Sequence, residues 1–509
     1  MDTKKLLFGS LFVGGCLALT RLLFAKPASA KQAAIRTSYD AVDAYVVEQI
    51  HRLHIPGASL AIVKGKRIVY RRGFGVARPG GETPSSQTPF FIGSLTKSIT
   101  ALAVMQLVEA GKVELDAPVQ RYLPWFRVAD PEASARMTVR HLLNQTSGLP
   151  LLSSEVAFDE YDTRPNALEH RVRALATEKL KLPPGAKWGY SNHNYNVLGM
   201  IIQAVSGESY SDYIRSHIFI PLHMTHSYTS KAEAQKNGLA VGYRHWFSLP
   251  FPAPNQLIPL GSLPSGHLIS SAEDMAHYLI AHLNGGQYGG EQILSSAGID
   301  EMHRGVKEVV MFGISGGFYG MGWFDIDMGN TKTYSHGGNV PDFSAFMSLI
   351  PGQKMGMVLL LNADPYGLPV VTEEIGMGVT ALLAGQQPPP VKLDFIQWIF
   401  RLSPVIPLLQ FVGVFATLRM LQHWERKPIL RPGTGRMWGQ HILLPLIPNL
   451  TLSALLVYLE TSGLIRFLNL FMPDLAWVAR FSGGFAAVWA TLRTGLMLRR
   501  LRKPHPEIP

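Results

Sequence analysis

The chain has 509 residues, of which 47% are hydrophobic and only 16% charged, against about 25% charged in a typical soluble protein. This composition excludes intrinsic disorder and favours membrane-embedded segments, while a single cysteine, Cys16, excludes a disulfide framework and a cysteine-ligated metal site. The net charge of +11 arises mainly in residues 391–509, which hold 14 Lys and Arg against 5 Asp and Glu. We therefore expect basic residues beside membrane segments and no nucleic-acid binding.

Residues 1–30 have the pattern of an export signal. Lys4 and Lys5 precede an apolar run over residues 6–19, and small residues at 28–30 have the form of a cleavage site. Arg21 lies between two apolar patches, which leaves open an uncleaved N-terminal anchor instead of a cleaved signal peptide. Both alternatives predict export.

One globular α/β unit is predicted over residues 31–385. A strong helix is expected at 95–110, and apolar or alternating runs predict the strands 58–63, 67–76, 320–326, 331–335, 343–349 and 355–361. Residues 115–265 are richer in loops and helices and are predicted to form a helical insertion. The expected architecture is an antiparallel sheet flanked by helices, followed by a Pro-rich linker at 386–400.

Three membrane spans are predicted within residues 401–498. Residues 402–421, 441–459 and 474–492 each approach the roughly 20 apolar residues that cross a bilayer. The third run is the weakest because Arg480 interrupts it. The alternative is a buried helical subdomain, although core helices rarely run this long without polar residues.

Basic loop residues orient these spans. The loop between the first two spans contains Arg426, Lys427, Arg431 and Arg436, and residues 499–509 form a basic tail, whereas the loop between the second and third spans contains one Arg. The positive-inside rule places the basic segments in the cytoplasm and residues 31–385 outside. We therefore expect a multi-pass protein of the cell (inner) membrane.

A serine and a lysine lie at the start of the predicted helix 95–110. Ser94 would lie at the helix N-terminus, and Lys97 would project from the same face. The lysine amine is then within reach of the serine oxygen, and the helix end offers a backbone N–H to a developing oxyanion. Alone, the pattern is weak, since Ser-x-x-Lys also occurs by chance, and an N-cap serine with a solvated lysine is the alternative.

Two further motifs follow in order. Tyr190 and Asn192 form Tyr-x-Asn, and a His-Gly-Gly motif at residues 336–338 lies between two strand runs. Residues 141–150, His-Leu-Leu-Asn-Gln-Thr-Ser-Gly-Leu-Pro, fill a helix-then-loop position between the first two motifs. With these motifs the chain resembles the serine β-lactamase and penicillin-binding protein superfamily. The resemblance covers about residues 35–385 and lies in the branch of class C β-lactamases, D-Ala-D-Ala carboxypeptidases and related esterases and peptidases.

The resemblance implies a catalytic set of Ser94, Lys97 and Tyr190. Ser94 would be the acylated nucleophile, Lys97 would take its proton, and Tyr190 would share in proton transfer and protonate the leaving amine. Asn192 would hydrogen-bond the substrate amide. A lowered pKa would suit Lys97 and Tyr190 to this role, and a positive field around Tyr190 would supply it there.

The resemblance also implies a binding strand at the third motif. The backbone N–H groups of Ser94 and Asn339 would form the oxyanion hole, and Gly337 and Gly338 would let substrate lie against this edge strand. His336 stands where many penicillin-recognising members have lysine. Because histidine is mostly neutral at pH 7, recognition of a substrate carboxylate is weakened; a purely structural His336 is the alternative.

A rival serine motif, Gly-x-Ser-x-Gly, occupies residues 313–317. A nucleophile elbow needs a helix after the serine, whereas the residues after Ser315 are Gly-rich and strand-like. Neither a His-Glu-x-x-His zinc motif nor a P-loop occurs in the sequence, and we expect no cofactor and no metal.

These features predict an exported, membrane-anchored serine hydrolase that acts through an acyl-enzyme on an amide or ester of a small molecule or peptide. The arrangement also resembles periplasmic peptidases that unmask acylated prodrugs of non-ribosomal peptide natural products. The alternatives are a β-lactamase or D-Ala-D-Ala carboxypeptidase, and a non-catalytic penicillin-binding sensor. The sequence does not predict an oligomeric state.

Overall fold

The computed structural model describes residues 39–156, 162–253, 258–311, 314–367, 369–390, 394–423 and 438–502. The predicted export signal at residues 1–30 lies outside the described residues, as do residues 503–509 of the predicted basic tail. The unit predicted over residues 31–385 is therefore described from residue 39 onward.

The main sheet has eight antiparallel strands in the order β2-β1-β14-β13-β12-β11-β10-β9. Its strands are β1 (Gly57–Lys64), β2 (Arg67–Gly75), β9 (Lys307–Met311), β10 (Ile314–Tyr319), β11 (Phe324–Met328), β12 (Thr331–Val340), β13 (Phe343–Ile350) and β14 (Met355–Leu361). Three short pairs lie outside it: β3 (Phe90–Phe91) with β6 (Ile269–Ser270), β4 (Tyr243–Trp246) with β5 (Leu249–Pro252), and β7 (Gln287–Tyr288) with β8 (Glu291–Gln292).

Helices precede, interrupt and follow the sheet. Before the third motif they are α1 (Asp40–Arg52), α2 (Thr96–Glu109), α3 (Val119–Tyr122), α4 (Pro131–Arg136), α5 (Val139–Leu143), α6 (Leu151–Val156), α7 (Ala167–Arg173), α8 (Asn192–Ser206), α9 (Tyr210–Ile214), α10 (Lys231–Lys236), α11 (Leu263–Gly266), α12 (Ala272–Leu283) and α13 (Ser296–His303). After the sheet come α14 (Pro369–Leu383), α15 (Asp394–Leu402), α16 (Val405–Gln422), α17 (Leu444–Thr461), α18 (Leu464–Phe471) and α19 (Pro473–Arg502).

The central strands separate two hydrophobic cores. Along β14, Val358 and Leu360 point into one core, whereas Met357, Leu359 and Leu361 point into the other. This period of two is the geometry of an extended strand, and a strand covered on both faces reads as a continuous apolar run. Helices α2 and α12 pack in the first core and α1 and α14 in the second. The predicted α/β class, an antiparallel sheet flanked by helices, is confirmed.

Strand β12 lies inside the sheet, so the prediction that it is an edge strand is wrong. It pairs with β13 from Tyr334 to Val340, but with β11 only from Thr331 to Ser335. The His-Gly-Gly motif therefore lies within a strand, rather than between two strands. The pairing of β12 with β11 stops at Ser335, so residues 336–338 of the motif pair with β13 and not with β11. Along this stretch an interior strand therefore resembles an edge strand.

Three C-terminal helices are long and apolar enough to cross a membrane: Val405–Gln422, Gly439–Thr461 and Pro473–Arg500. The prediction of three such segments is confirmed, and the third is an unbroken helix. Arg480, which weakened its prediction, pairs with Glu460 at 3.0 Å. A Cβ atom at Gly483 would lie 2.5 Å from the Leu456 Cβ atom, so the missing side chain lets the two helices approach closely.

Candidate active site

Ser94 lies in a single 3-10 turn, Gly93–Leu95, that leads directly into α2. Gly93 has a φ of +54°, and a Cβ atom there would lie 2.5 Å from the Asn339 backbone nitrogen. Only glycine fits this left-handed, closely packed position without strain. The turn is thereby pressed against β12, with Ser94 between the helix start and the strand.

The Ser94 hydroxyl lies between a lysine and a tyrosine. Its Oγ atom is 2.8 Å from Lys97 Nζ and accepts a 2.8 Å hydrogen bond from the Tyr190 hydroxyl. Lys97 follows by one helical turn on α2, whereas Tyr190 comes from the loop before α8. The structure thus brings together the three residues predicted to act on the acyl bond, in a cluster that can remove the serine proton and pass it on.

Lys97 is fully buried, with 0% of its surface exposed. Its Nζ atom also donates to Asn192 Oδ1 at 2.6 Å and to the Ser265 carbonyl at 2.5 Å. Burial disfavours the charged ammonium and lowers the pKa of Lys97 well below its usual value, while the carboxylate charge of Glu155 opposes that shift. A buried amine of this kind can accept a proton near neutral pH.

The expectation that a positive field lowers the pKa of Tyr190 is wrong. Burial raises the pKa of Tyr190 well above its usual value, and the neighbouring phenol of Tyr319 raises it further. Lys97 Nζ lies 4.9 Å from the centroid of the Tyr190 ring, and the hydrogen bond to Ser94 opposes the rise in pKa without cancelling it. Tyr190 is therefore a neutral phenol that donates a hydrogen bond to Ser94 Oγ.

Glu155 is a site residue that the sequence motifs do not reveal. It lies on α6, and its Oε1 atom accepts a 3.0 Å hydrogen bond from Asn192 Nδ2, whose Oδ1 atom faces Lys97. Burial raises the pKa of Glu155 above its usual value, and the charge of Lys97 opposes this. The side chain of Asn192 thus links the acid Glu155 to the base Lys97. The predicted hydrogen bond from Asn192 to the substrate amide would compete with these two contacts.

The third motif passes directly behind the nucleophile. A Cβ atom at Gly338 would lie 3.0 Å from the Ser94 backbone nitrogen and 2.2 Å from the Ile92 carbonyl oxygen. A side chain at Gly337 would meet Glu373 at 2.9 Å. Both glycines allow a close approach of backbones, which places the N–H groups of Ser94 and Asn339 on neighbouring segments, as an oxyanion hole requires.

His336 is buried and does not present a fixed cation. Its Nδ1 atom lies 2.5 Å from the Gly337 carbonyl oxygen, and its Nε2 atom lies 3.2 Å from the Tyr319 hydroxyl. Burial lowers the pKa of His336 to about 3, and the nearby Lys97 lowers it too. A neutral imidazole that donates to the carbonyl and accepts from the phenol satisfies both contacts.

A second acid, Asp364, was also missed by the motifs. Its Oδ1 atom accepts a 2.7 Å hydrogen bond from Asn339 Nδ2, and burial raises its pKa well above the usual value. Asp364 lies three residues after the end of β14 and more than 200 residues beyond Glu155 in the chain, so no local pattern joins the two. Together they add two buried acids to the site, and burial raises the pKa of both.

The rival serine lies in a different setting. Ser315 belongs to β10, where it pairs with Val310 of β9, and the next elements in the chain are the strands β11 and β12. A nucleophile elbow needs a turn from a strand into a helix, and this segment does not provide it. The local structure therefore favours Ser94 over Ser315 as nucleophile.

An antiparallel sheet with a Ser, Lys and Tyr cluster at the start of a buried helix defines the β-lactamase and penicillin-binding class of fold. A family model described as "Beta-lactamase" matches residues 42–376, and this range includes every predicted site residue. The chain belongs to the beta-lactamase family. Members of this family are serine hydrolases.

Two curated relatives illustrate this membership. Protein flp of Staphylococcus aureus (strain COL) is 29% identical over 339 residues, which cover 66% of this chain and 66% of that protein. The chain therefore spans about two thirds of the length of this relative. Penicillin-binding protein 4 of Amycolatopsis lactamdurans is 31% identical over 317 residues, covering 61% of this chain and 81% of that protein.

Two solved structures share the fold. The octameric penicillin-binding protein homologue from Pyrococcus abyssi has a TM-score of 0.62 and 31% identity, covering 73% of this chain and 81% of that chain. The D-amino acid amidase from Ochrobactrum anthropi SV3, complexed with L-phenylalanine amide, has a TM-score of 0.58 and 25% identity. The match covers 68% of this chain and 99% of the amidase chain.

Proposed function

We propose that this protein is a membrane-anchored serine hydrolase that cleaves an amide or ester through an acyl-enzyme. The observation that carries the proposal is the position of Ser94 Oγ, 2.8 Å from both Lys97 Nζ and the Tyr190 hydroxyl. A serine is a weak nucleophile until a neighbouring base removes its proton, and this arrangement supplies that base.

In the proposed reaction, Lys97 accepts the proton of Ser94 while Oγ attacks the carbonyl carbon of the substrate. The N–H groups of Ser94 and Asn339 stabilise the resulting oxyanion. Collapse of this intermediate expels the leaving amine or alcohol, which Tyr190 protonates, and Lys97 returns its proton to Tyr190. Water then attacks the acyl-enzyme with the same groups as base and acid, and Ser94 is released.

The groups around Ser94 favour uncharged substrates over carboxylates. His336 is neutral, and the nearby acids Glu155 and Asp364, whose pKa values are raised by burial, offer a substrate carboxylate no cation. The D-amino acid amidase with its amide ligand provides a structural precedent for amide chemistry on this fold. Maturation of an acylated peptide prodrug outside the cytoplasm is the most specific form of this proposal.

Covalent labelling tests catalysis directly. Intact-protein mass spectrometry after treatment with a fluorophosphonate should detect one adduct, and peptide mapping should locate it on Ser94. A protein that binds penicillin without reacting, as the sensor alternative requires, would form no adduct with fluorophosphonate.

The substrate class is predicted from His336. Because a charge-assisted hydrogen bond contributes about 1.5 to 3 kcal/mol, a site without a fixed lysine should lose part of its affinity for carboxylates. We expect kcat/KM for a p-nitrophenyl ester or an N-acyl dipeptide amide to exceed kcat/KM for a chromogenic cephalosporin. A higher value for the cephalosporin would instead support the β-lactamase alternative.

The topology is predicted from the loop charges. A reporter fused after Gly385 should be active outside the cytoplasm, and one fused after Pro509 only inside, since basic residues cluster between the first two spans and in the tail. Paired alkaline phosphatase and green fluorescent protein fusions measure both positions. A C-terminal fusion with phosphatase activity would indicate an even number of spans.

A further inference from the structure

The β4–β5 pair forms an exposed apolar hairpin outside the main sheet. On β5, Leu249 is 55% exposed and Phe251 is 51% exposed. Trp246, at the end of β4, is partly exposed, and its ring lies 6.3 Å from that of Phe247 at the hairpin tip. Large apolar side chains concentrated on one exposed hairpin indicate a contact surface rather than scattered surface residues.

The hairpin tip is held in a strained conformation by groups outside it. Phe247 and Ser248 have φ values of +52° and +70°, although tight turns of this kind normally require Asn, Asp or Gly. The Phe247 N–H donates to Asp474 Oδ2 at 2.8 Å, and His54 Nδ1 lies 2.9 Å from the Ser248 carbonyl oxygen. Such strain persists where the surroundings hold the segment in place.

One of these anchors is the start of a membrane span. Asp474 lies in the first turn of α19, whose residues Pro473–Arg500 form the third candidate span. Trp477, one turn further along α19, is 49% exposed, and tryptophan is enriched where spans meet the membrane interface. The hairpin tip therefore lies at the level where α19 enters the bilayer.

The catalytic unit and the spans meet at this same level through α18. Leu470 of α18 and Met472 just after it are buried in the two cores of the catalytic unit. A Cβ atom at Gly367 would lie 2.6 Å from the Phe471 carbonyl oxygen. These close contacts hold the hairpin in a defined position relative to the spans.

We propose that the β4–β5 hairpin is a membrane-contact surface, in which Leu249 and Phe251 insert into the interfacial region of the bilayer beside α19. The catalytic unit thus touches the lipid surface through its own residues and is not merely tethered by the spans. The occupant is lipid because the hairpin is continuous with a membrane-spanning helix and because its exposed side chains are apolar.

Site-specific fluorescence in the full chain tests this contact. In a Cys16→Ser background, which removes the single native cysteine, Leu249→Cys is labelled with an environment-sensitive nitrobenzoxadiazole probe. The protein is placed in phosphatidylcholine nanodiscs, with or without bromine near the carboxyl end of one acyl chain. We expect a blue-shifted emission that brominated lipid quenches, and Phe251→Cys should repeat the result.

Val310→Cys is the matched control, since Val310 is 53% exposed on the edge strand β9. Its probe should emit as in water and remain unquenched. A probe at position 249 that behaves like the probe at 310 would overturn the proposal. A blue shift without lipid quenching would also overturn it, because the hairpin would then lie against protein, such as a second copy of the chain.

Discussion

Ser94→Ala should lower kcat/KM for the best ester or amide substrate by at least about a thousand-fold and abolish fluorophosphonate labelling. The substitution removes the oxygen that faces both Lys97 and Tyr190, so neither the base nor the acid has a nucleophile to activate. Its structural cost is small because Ser94 is only partly buried. Steady-state kinetics and labelling of the same preparation provide the measurement.

Ser315→Ala is the matched control for this experiment. It removes a hydroxyl from the rival serine motif, and both turnover and labelling should remain close to those of the parent protein. Loss of labelling in the Ser315 variant, with labelling retained in the Ser94 variant, would move the nucleophile to β10. Thermal unfolding of both variants would show that the comparison is made between folded proteins.

The main sheet was predictable because its strands are short apolar runs in a simple order. Strand β14 was predicted at residues 355–361 and is observed at Met355–Leu361. The surroundings of β12 were not predictable, since they depend on where the neighbouring strand β11 begins. β11 begins at Phe324, four residues after the start of the predicted run at 320–326. Register against a neighbouring strand is a long-range property.

The proximity of Ser94 and Lys97 was predictable because they lie one helical turn apart. Glu155 and Asp364 were not, since they reach the site through tertiary packing and carry no motif of their own. The expected lowering of the Tyr190 pKa was wrong for a related reason: burial by elements distant in the chain raises that pKa, and the phenol of Tyr319 raises it further. Local spacing therefore locates the nucleophile and its base, whereas the surrounding electrostatics depend on the whole fold.

Lys97→Met should lower kcat/KM by about 10² to 10⁴-fold, the usual contribution of a general base.

In the parent protein, kcat/KM should rise with pH through the pKa of Lys97, because the protonated amine cannot accept the Ser94 proton. Glu155 raises that pKa against the larger, lowering effect of burial. Glu155→Gln should therefore lower the pKa of Lys97 and move the acidic limb of the pH profile to lower pH.

Asp364→Asn is the matched control for the pH profile, since it replaces a second buried acid of the site, one that contacts Asn339 rather than the bridge to Lys97. The acidic limb of the pH profile of this variant should stay at the same pH as in the parent protein, even where KM changes. The profiles are measured as kcat/KM for one p-nitrophenyl ester with each folded variant. An acidic limb that moves to higher pH in Glu155→Gln would show that the carboxylate does not stabilise the protonated amine, and that another group controls the base.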